Sequence, residues 1–238
     1  MKAMIFAAGF GTRLKPWTDK HPKALAQVNG KSLLQRNVEY LQQYNIRDII
    51  INVHYFADQI LEAIQLSKGW GSNIAISDET NEILETGGGL KHAAGYFDKE
   101  EDFLLMNADI LTDLDLSHFI AQHKENKCLA TLATTNRRTS RYFLFNEYNV
   151  LCGWENVNTG EKKIARETEM YTQKAFSGIH AINRNLFSLM KQDGKFSMVD
   201  VYLSLAATEN IQSFDHSESK FIDVGKPESI EKAALLFS

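Results

Sequence analysis

Short apolar and β-branched runs alternate with segments whose apolar positions recur every three or four residues, and this alternation holds from the start of the chain to about residue 135. Residues 3–8 read as a first buried strand. Ser32 stands where a helix N-cap belongs, ahead of Leu33, Leu34, Val38 and Leu41 at helical spacing, and the helix is expected to end near Tyr44-Asn45. Residues 48–53 predict a second strand and residues 57–66 a second helix, striped by Ile60, Leu61 and Ile64. Gly69-Trp70-Gly71 breaks that helix, and residues 73–77 supply a third strand. The triplet Gly87-Gly88-Gly89 predicts a turn into a helix, with Thr86 in the N-cap position. Strands over residues 102–107 and 128–133 flank a helix over residues 117–124. Right-handed crossovers between such units predict an α/β fold, Rossmann-like, with a mostly parallel sheet covered by helices on both faces.

Beyond residue 135 the pattern changes. Residues 142–145, 150–154 and 175–182 read as strands separated by polar turns, a small antiparallel elaboration placed as the far wall of a site. Helices are expected over residues 184–191 and 199–208, then a strand at 221–224 and a helix after Pro227. No linker or repeat divides the chain, so residues 1–238 are read as one domain, with a core over 1–135 and the changed pattern over 136–238.

Composition narrows the class. The 238 residues carry a net charge of -4, with 24% charged and 44% hydrophobic residues, which gives no electrostatic case for nucleic acid or a membrane surface. Any polyphosphate must therefore be held locally. No apolar stretch approaches a membrane-spanning length. Cys128 and Cys152 lack metal-ligand or disulfide spacing and are read as packing residues of a protein in the reducing cytoplasm. The seven histidines include no HExxH, and neither GxSxG nor GxxxxGK[ST] occurs, which argues against a zinc hydrolase, an α/β-hydrolase and a P-loop kinase.

Three clusters carry candidate chemistry, each in a loop after a strand, where open α/β sheets bind ligands. The first is Gly9-Phe10-Gly11-Thr12-Arg13 with Lys15 and Lys23: two glycines for a tight turn that presents N–H donors, and cations for a triphosphate. A dinucleotide fold would need a third glycine, which is missing. The second is Glu85-Thr86-Gly87-Gly88-Gly89, whose missing side chains would let a flat base or sugar lie against the backbone. The third is Asn107-Ala108-Asp109, where a carboxylate at a strand end suits a hard cation such as Mg²⁺, with Asp223 as second ligand. By position alone each aspartate fits a cap or turn equally well, and Asp113 and Asp115 compete for the metal.

These residues resemble the sugar-1-phosphate nucleotidylyltransferases along the chain from Met1 to about Phe237. That family's L-A-A-G-x-G-x-R loop and P-K segment read here as Phe6-Ala7-Ala8-Gly9-Phe10-Gly11-Thr12-Arg13 and Pro22-Lys23. The resemblance implies a GT-A-like nucleotidyltransferase fold, with 1–135 the nucleotide-binding core and 136–238 the sugar-binding portion, and small-molecule substrates, an NTP and a sugar 1-phosphate. It gives Arg13, Lys23 and Asp109 catalytic roles, places Mg²⁺ on Asp109 and Asp223, and puts Asn107 and Gly178 on the sugar side. The nucleotide would be held by Ala8, Gly9, Gly11, Thr12, Arg13, Lys23, Glu79, Thr86, Gly87 and Gly88.

Within the family the nearest likeness is to short bacterial enzymes that activate N-acetylmuramate 1-phosphate with UTP, carried by Glu85-Thr86-Gly87-Gly88-Gly89 and Asp223-Val224-Gly225. No acetyltransferase half is expected. GTP-dependent mannose or heptose 1-phosphate enzymes, or a catalytically silent nucleotide-binding subunit, are the other readings. The sugar-facing half departs from the family pattern: its nearest match to a Glu-Lys-Pro segment is Glu161-Lys162-Lys163.

Overall fold

A computed structural model describes residues 1–237. In chain order its elements are β1 (Ala3–Phe6), β2 (Gln27–Val28), β3 (Lys31–Ser32), α1 (Leu33–Gln43), β4 (Asp48–Val53), α2 (Ala57–Leu66), β5 (Asn73–Asp78), α3 (Glu85–His92), β6 (Asp102–Asn107), β7 (Ile110–Thr112) and α4 (Leu116–Glu125). The second half adds β8 (Ala130–Thr135), β9 (Arg141–Phe145), β10 (Leu151–Asn156), β11 (Glu161–Ile164), β12 (Thr172–Asn183), α5 (Leu186–Leu189), α6 (Met198–Leu205), β13 (Ile211–Asp215), β14 (Phe221–Asp223) and α7 (Pro227–Leu236).

One mixed sheet organises the chain. Its main path runs β11-β10-β9-β12-β6-β1-β4-β5, with β8 pairing β12 and β13 off that path. The pairs β6-β1, β1-β4 and β4-β5 are parallel, as their helical crossovers require. Strand β12 is the hinge of the architecture. Over its 12 residues it pairs antiparallel with β9 near its start, with β6 near its end and with β8 along the other edge. The antiparallel part is thus larger than the pattern predicted, and it continues the parallel sheet.

The local signals explain most boundaries. Ser32 Oγ accepts from the Gln35 amide and starts α1, and Asp115 caps α4 through the Ser117 and His118 amides. Alternation along β1 sends Ala3 and Ile5 to one face and Met4 and Phe6 to the other. The first face is covered by α1, α2 and α4 through Leu34, Val38, Ile60 and Phe119, and the second by α3 and α6 through Leu90, Val201 and Tyr202. A third apolar cluster, Leu14, Val28, Leu33, Leu111, Val224 and Ala233, ties the first loop and β14 to α7. Cys128 and Cys152 are buried as packing residues.

Several elements differ from the sequence reading. Strand β1 stops at Phe6, two residues early, because the chain turns there into the glycine loop. Strands β7, β11 and β13 lie outside the predicted runs: β7 is short, β11 is fully exposed, and Gln212 and Ser213 interrupt the apolar positions of β13. Strand β14 does not join the main sheet; it pairs with β7 as a separate ribbon. No described helix is long and apolar enough to cross a membrane.

Candidate active site

The first cluster forms one wall of a cavity of about 290 Å³ at the carboxyl ends of β1 and β6. Its lining includes Gly9, Gly11, Thr12, Arg13, Lys23 and Asn107, with Thr86, Asp109 and Gly225. Gly11 sits at φ +62°, and a Cβ there would meet Lys23 Cβ at 2.8 Å and Thr18 Cγ2 at 2.9 Å. The glycine therefore lets Lys23 pass close behind the loop. The Gly11 carbonyl accepts from the Leu14 amide and the Thr18 hydroxyl, which fixes the turn that carries Thr12 and Arg13.

Lys23 donates to the Asp109 carboxylate, and both side chains are mostly buried. Arg13 stays largely exposed, with Nη2 3.8 Å from Asp223 Oδ2. Lys15, counted with these cations in the sequence, pairs with Asp19 at 2.8 Å and does not line the cavity.

The two candidate metal carboxylates are brought together by the β7-β14 ribbon. Asp223 pairs with Ile110, the residue after Asp109, and the Val224 amide donates to the Asp109 carbonyl at 2.8 Å. Burial, and then the neighbouring Asp109 carboxylate, raise the Asp223 pKa, against the offsetting charges of Lys23, Arg13 and Arg137. Asp223 Oδ1 is buried and has no hydrogen-bond partner. An orphaned carboxylate oxygen beside a second carboxylate is the donor set that fits a Mg²⁺ ion completing its shell with phosphate oxygens and water. No cluster of three or more His, Cys, Asp or Glu side chains offers an alternative centre among the described residues. The competing aspartates are committed elsewhere: Asp113 accepts from the Lys220 amide, and Asp115 caps α4.

The glycine triplet is placed differently from the expectation. It lies inside α3, and Thr86 does not cap that helix: its hydroxyl accepts from the Met198 amide at 3.0 Å. The amides of Gly87 and Gly88 both donate to the Phe196 carbonyl. A Cβ on Gly87 would meet the Phe196 ring at 2.5 Å, one on Gly88 the Gly194 carbonyl oxygen at 2.3 Å, and one on Gly89 Glu79 Oε1 at 2.5 Å. The missing side chains thus admit the chain segment before α6. Gly88→Ala is expected to cost about 1–2 kcal/mol of stability, because overpacking against a backbone carbonyl outweighs the gain in helix propensity. A denaturant-unfolding midpoint equal to wild type would refute the close-packing role.

Glu79 is also removed from the cavity lining. It is buried, with Oε1 accepting from Asn52 and Oε2 from the Leu84 amide; Asn52 Oδ1 in turn accepts from the Ala7 amide. Glu79 therefore reaches the loop through Asn52, a residue the sequence reading passed over although a lone asparagine in the apolar run of β4 was a signal. Ala8 is buried beside Gly9 and does not line the cavity. Gly178, at φ +74° in the bulged part of β12, lies against Asn107: a Cβ there would meet its side-chain nitrogen at 2.7 Å. Gly225 was missed as a site residue. Its Cβ would fall 2.7 Å from Asp223 Oδ1 and 3.0 Å from Arg13 Nη2, so only glycine leaves that pair room. The three tryptophans do not line the cavity.

A larger cavity of about 850 Å³ opens at the opposite end of the sheet, among Asp102, His123 and Asn183. It contains none of the loop cations or the paired carboxylates, so chemistry, and not size, selects the smaller site.

A nucleotidyl transferase family model matches residues 2–237. The chain is 28% identical to mannose-1-phosphate guanyltransferase of Yarrowia lipolytica over 239 residues, all of this chain but 64% of that protein. It is 45% identical to N-acetylmuramate alpha-1-phosphate uridylyltransferase of Caulobacter vibrioides over 93 residues, 38% of each chain. Among solved structures, HddC from Yersinia pseudotuberculosis in complex with GMP-PN superposes with a TM-score of 0.80 at 26% identity, covering 100% of this chain and 99% of that one. With the glycine loop, the Lys23–Asp109 pair and the carboxylates gathered on one α/β sheet, the chain belongs to the nucleotidyl transferase family, alongside sugar-1-phosphate nucleotidyltransferases.

Proposed function

We propose that this chain joins an NTP to a sugar 1-phosphate, forming an NDP-sugar and pyrophosphate. An ionised oxygen of the sugar 1-phosphate attacks the α-phosphorus, the bond from that phosphorus to the bridging oxygen breaks, and pyrophosphate leaves with the electron pair. No protein nucleophile is needed, because the attacking oxygen is already anionic at neutral pH. The work left to the protein is positioning and charge neutralisation.

The observation that carries this reading is the convergence of Lys23 and Arg13 on the Asp109–Asp223 pair in one cleft. The turn from Gly9 to Arg13 presents the triphosphate with backbone donors and a guanidinium. Lys23 offsets charge on the phosphates, and Asn107, held by Gly178, faces the sugar side. Asp109 and Asp223 would hold Mg²⁺, which when bound neutralises the triphosphate and the departing pyrophosphate.

For the substrates, UTP with an N-acetylated amino sugar such as N-acetylmuramate 1-phosphate is the first choice, supported by the 45% identity to the Caulobacter vibrioides uridylyltransferase. GTP with mannose 1-phosphate is the second, supported by the likeness to the Yarrowia lipolytica protein across this whole chain. Pyrophosphate release with Mg²⁺, measured for UTP, GTP, CTP and dTTP against mannose, glucose and N-acetylmuramate 1-phosphates, is expected to be fastest for UTP with N-acetylmuramate 1-phosphate. A GTP preference would overturn the substrate choice and keep the reaction. Absence of pyrophosphate from every pair would favour a nucleotide-binding subunit without turnover.

A further inference from the structure

Seven buried side-chain polar atoms have no hydrogen-bond partner among the described residues, and four of them belong to one patch beside Asp223: Thr135 Oγ1, Arg137 Nε, His216 Nδ1 and Asp223 Oδ1. Phe221 ties the patch together. The Arg137 guanidinium lies over its ring at 5.2 Å, the His216 ring is 5.8 Å from it, and Asp223 follows two residues on. Arg137 Nη2 donates to the Phe176 carbonyl and His216 Nε2 bonds Ser177 Oγ at 2.8 Å, so the patch abuts the β12 bulge whose Gly178 supports Asn107.

Arg137 is thereby held in place but left unsatisfied. A guanidinium offers five N–H donors and no acceptor, and in this half-buried one only the bond to Phe176 has a protein partner. Among the described residues it has no carboxylate within ion-pair distance. Desolvating a cation without acceptors is costly, so a fixed guanidinium with free donors is built for an anion that brings oxygens of its own. Burial holds the His216 pKa down, at about 4, so this neighbour is neutral near pH 7 and leaves the local charge to Arg137. Two lysines of the sugar-facing half are engaged elsewhere: Lys174 with Asn149 and Asp215, and Lys162 over the Tyr171 ring.

We propose that Arg137 receives the phosphate of the sugar 1-phosphate, holding the attacking anion beside the carboxylate pair while Arg13 and Lys23 hold the nucleotide. This rests on the nucleotidyl-transfer reading above, which requires two anions to meet in the cleft. Arg137 is a planar fork suited to a phosphate, so its loss affects one substrate more than the other.

The test uses Arg137→Met, which keeps the stem over Phe221 and removes the charge and donors, and Arg137→Lys, which keeps the charge and loses the fork. Each is assayed by pyrophosphate release with the NTP and sugar 1-phosphate that the wild type uses best. Arg137→Met is expected to raise KM for the sugar 1-phosphate by about 10- to 100-fold while KM for the NTP stays within about twofold, with Arg137→Lys in between. Equal rises in both KM values, or no rise in either, would overturn the assignment and leave the transfer reading intact. A wild-type protein that releases no pyrophosphate with any pair would instead remove the transfer reading, and this assignment with it. If Arg137→Met fails to fold by circular dichroism, the same comparison on Arg137→Lys decides: a selective rise supports the role, and wild-type values overturn it.

Discussion

Asp109→Asn is expected to lower pyrophosphate release by about 1,000-fold while the chain stays folded, the size of loss seen when a group that stabilises transition-state charge is removed. The substitution keeps the shape of the side chain and leaves the Asp109 carbonyl bonded to the Val224 amide, so the β7-β14 ribbon that positions Asp223 persists. What is lost is one of two negative charges that together suit a divalent cation, and the partner of Lys23. Thermal unfolding checks the fold, with a midpoint expected within about 4 °C of wild type. Turnover at the wild-type rate would take Asp109 out of the metal site.

Lys23→Met should lower kcat/KM by about 100- to 1,000-fold through a different loss, that of a positive charge against the nucleotide phosphates. The methionine stem fills most of the space behind Gly11, where a lysine already packs within van der Waals contact of the loop. With the lysine gone, Asp109 and Asp223 are left without that competing cation, so the variant is expected to need less Mg²⁺ for half-maximal rate than wild type. Raising Mg²⁺ should recover little of the rate, because the cation on the phosphates is still missing. A variant restored to wild-type rates by Mg²⁺ alone would confine Lys23 to holding Asp109.

Much of the frame was legible in the sequence. The bounds of β4, α2 and β6 coincide with the residues read from their apolar runs, because buried parallel strands and amphipathic helices each impose a local period. Ser32 announced its helix by the same locality. The glycine loop with its arginine and lysine marked a candidate anion site, since a turn that brings backbone N–H groups to phosphate needs those residues within a few positions of one another. Other elements left little trace. The ribbon strand β7 has only three residues, and the exposed edge strand β11 has no buried face to mark it.

The triplet Gly87-Gly88-Gly89 shows where local reading misleads. A turn and a close-packed helix ask for the same residue, and only Phe196 and Gly194, more than one hundred positions away, reveal that the glycines make room for protein. Arg137 shows the converse. Nothing beside it in sequence marks it, and its meaning comes from Phe176, Phe221 and Asp223, which reach it from other strands.

By itself the sequence determined the alternation of strands and helices, the phosphate-type loop and the family, all of which depend on residues close together along the chain. The tertiary structure decided which carboxylates face each other and which glycines pack against protein. Those depend on distances between segments far apart in sequence, and such distances are set by strand pairing and burial, which no local pattern encodes.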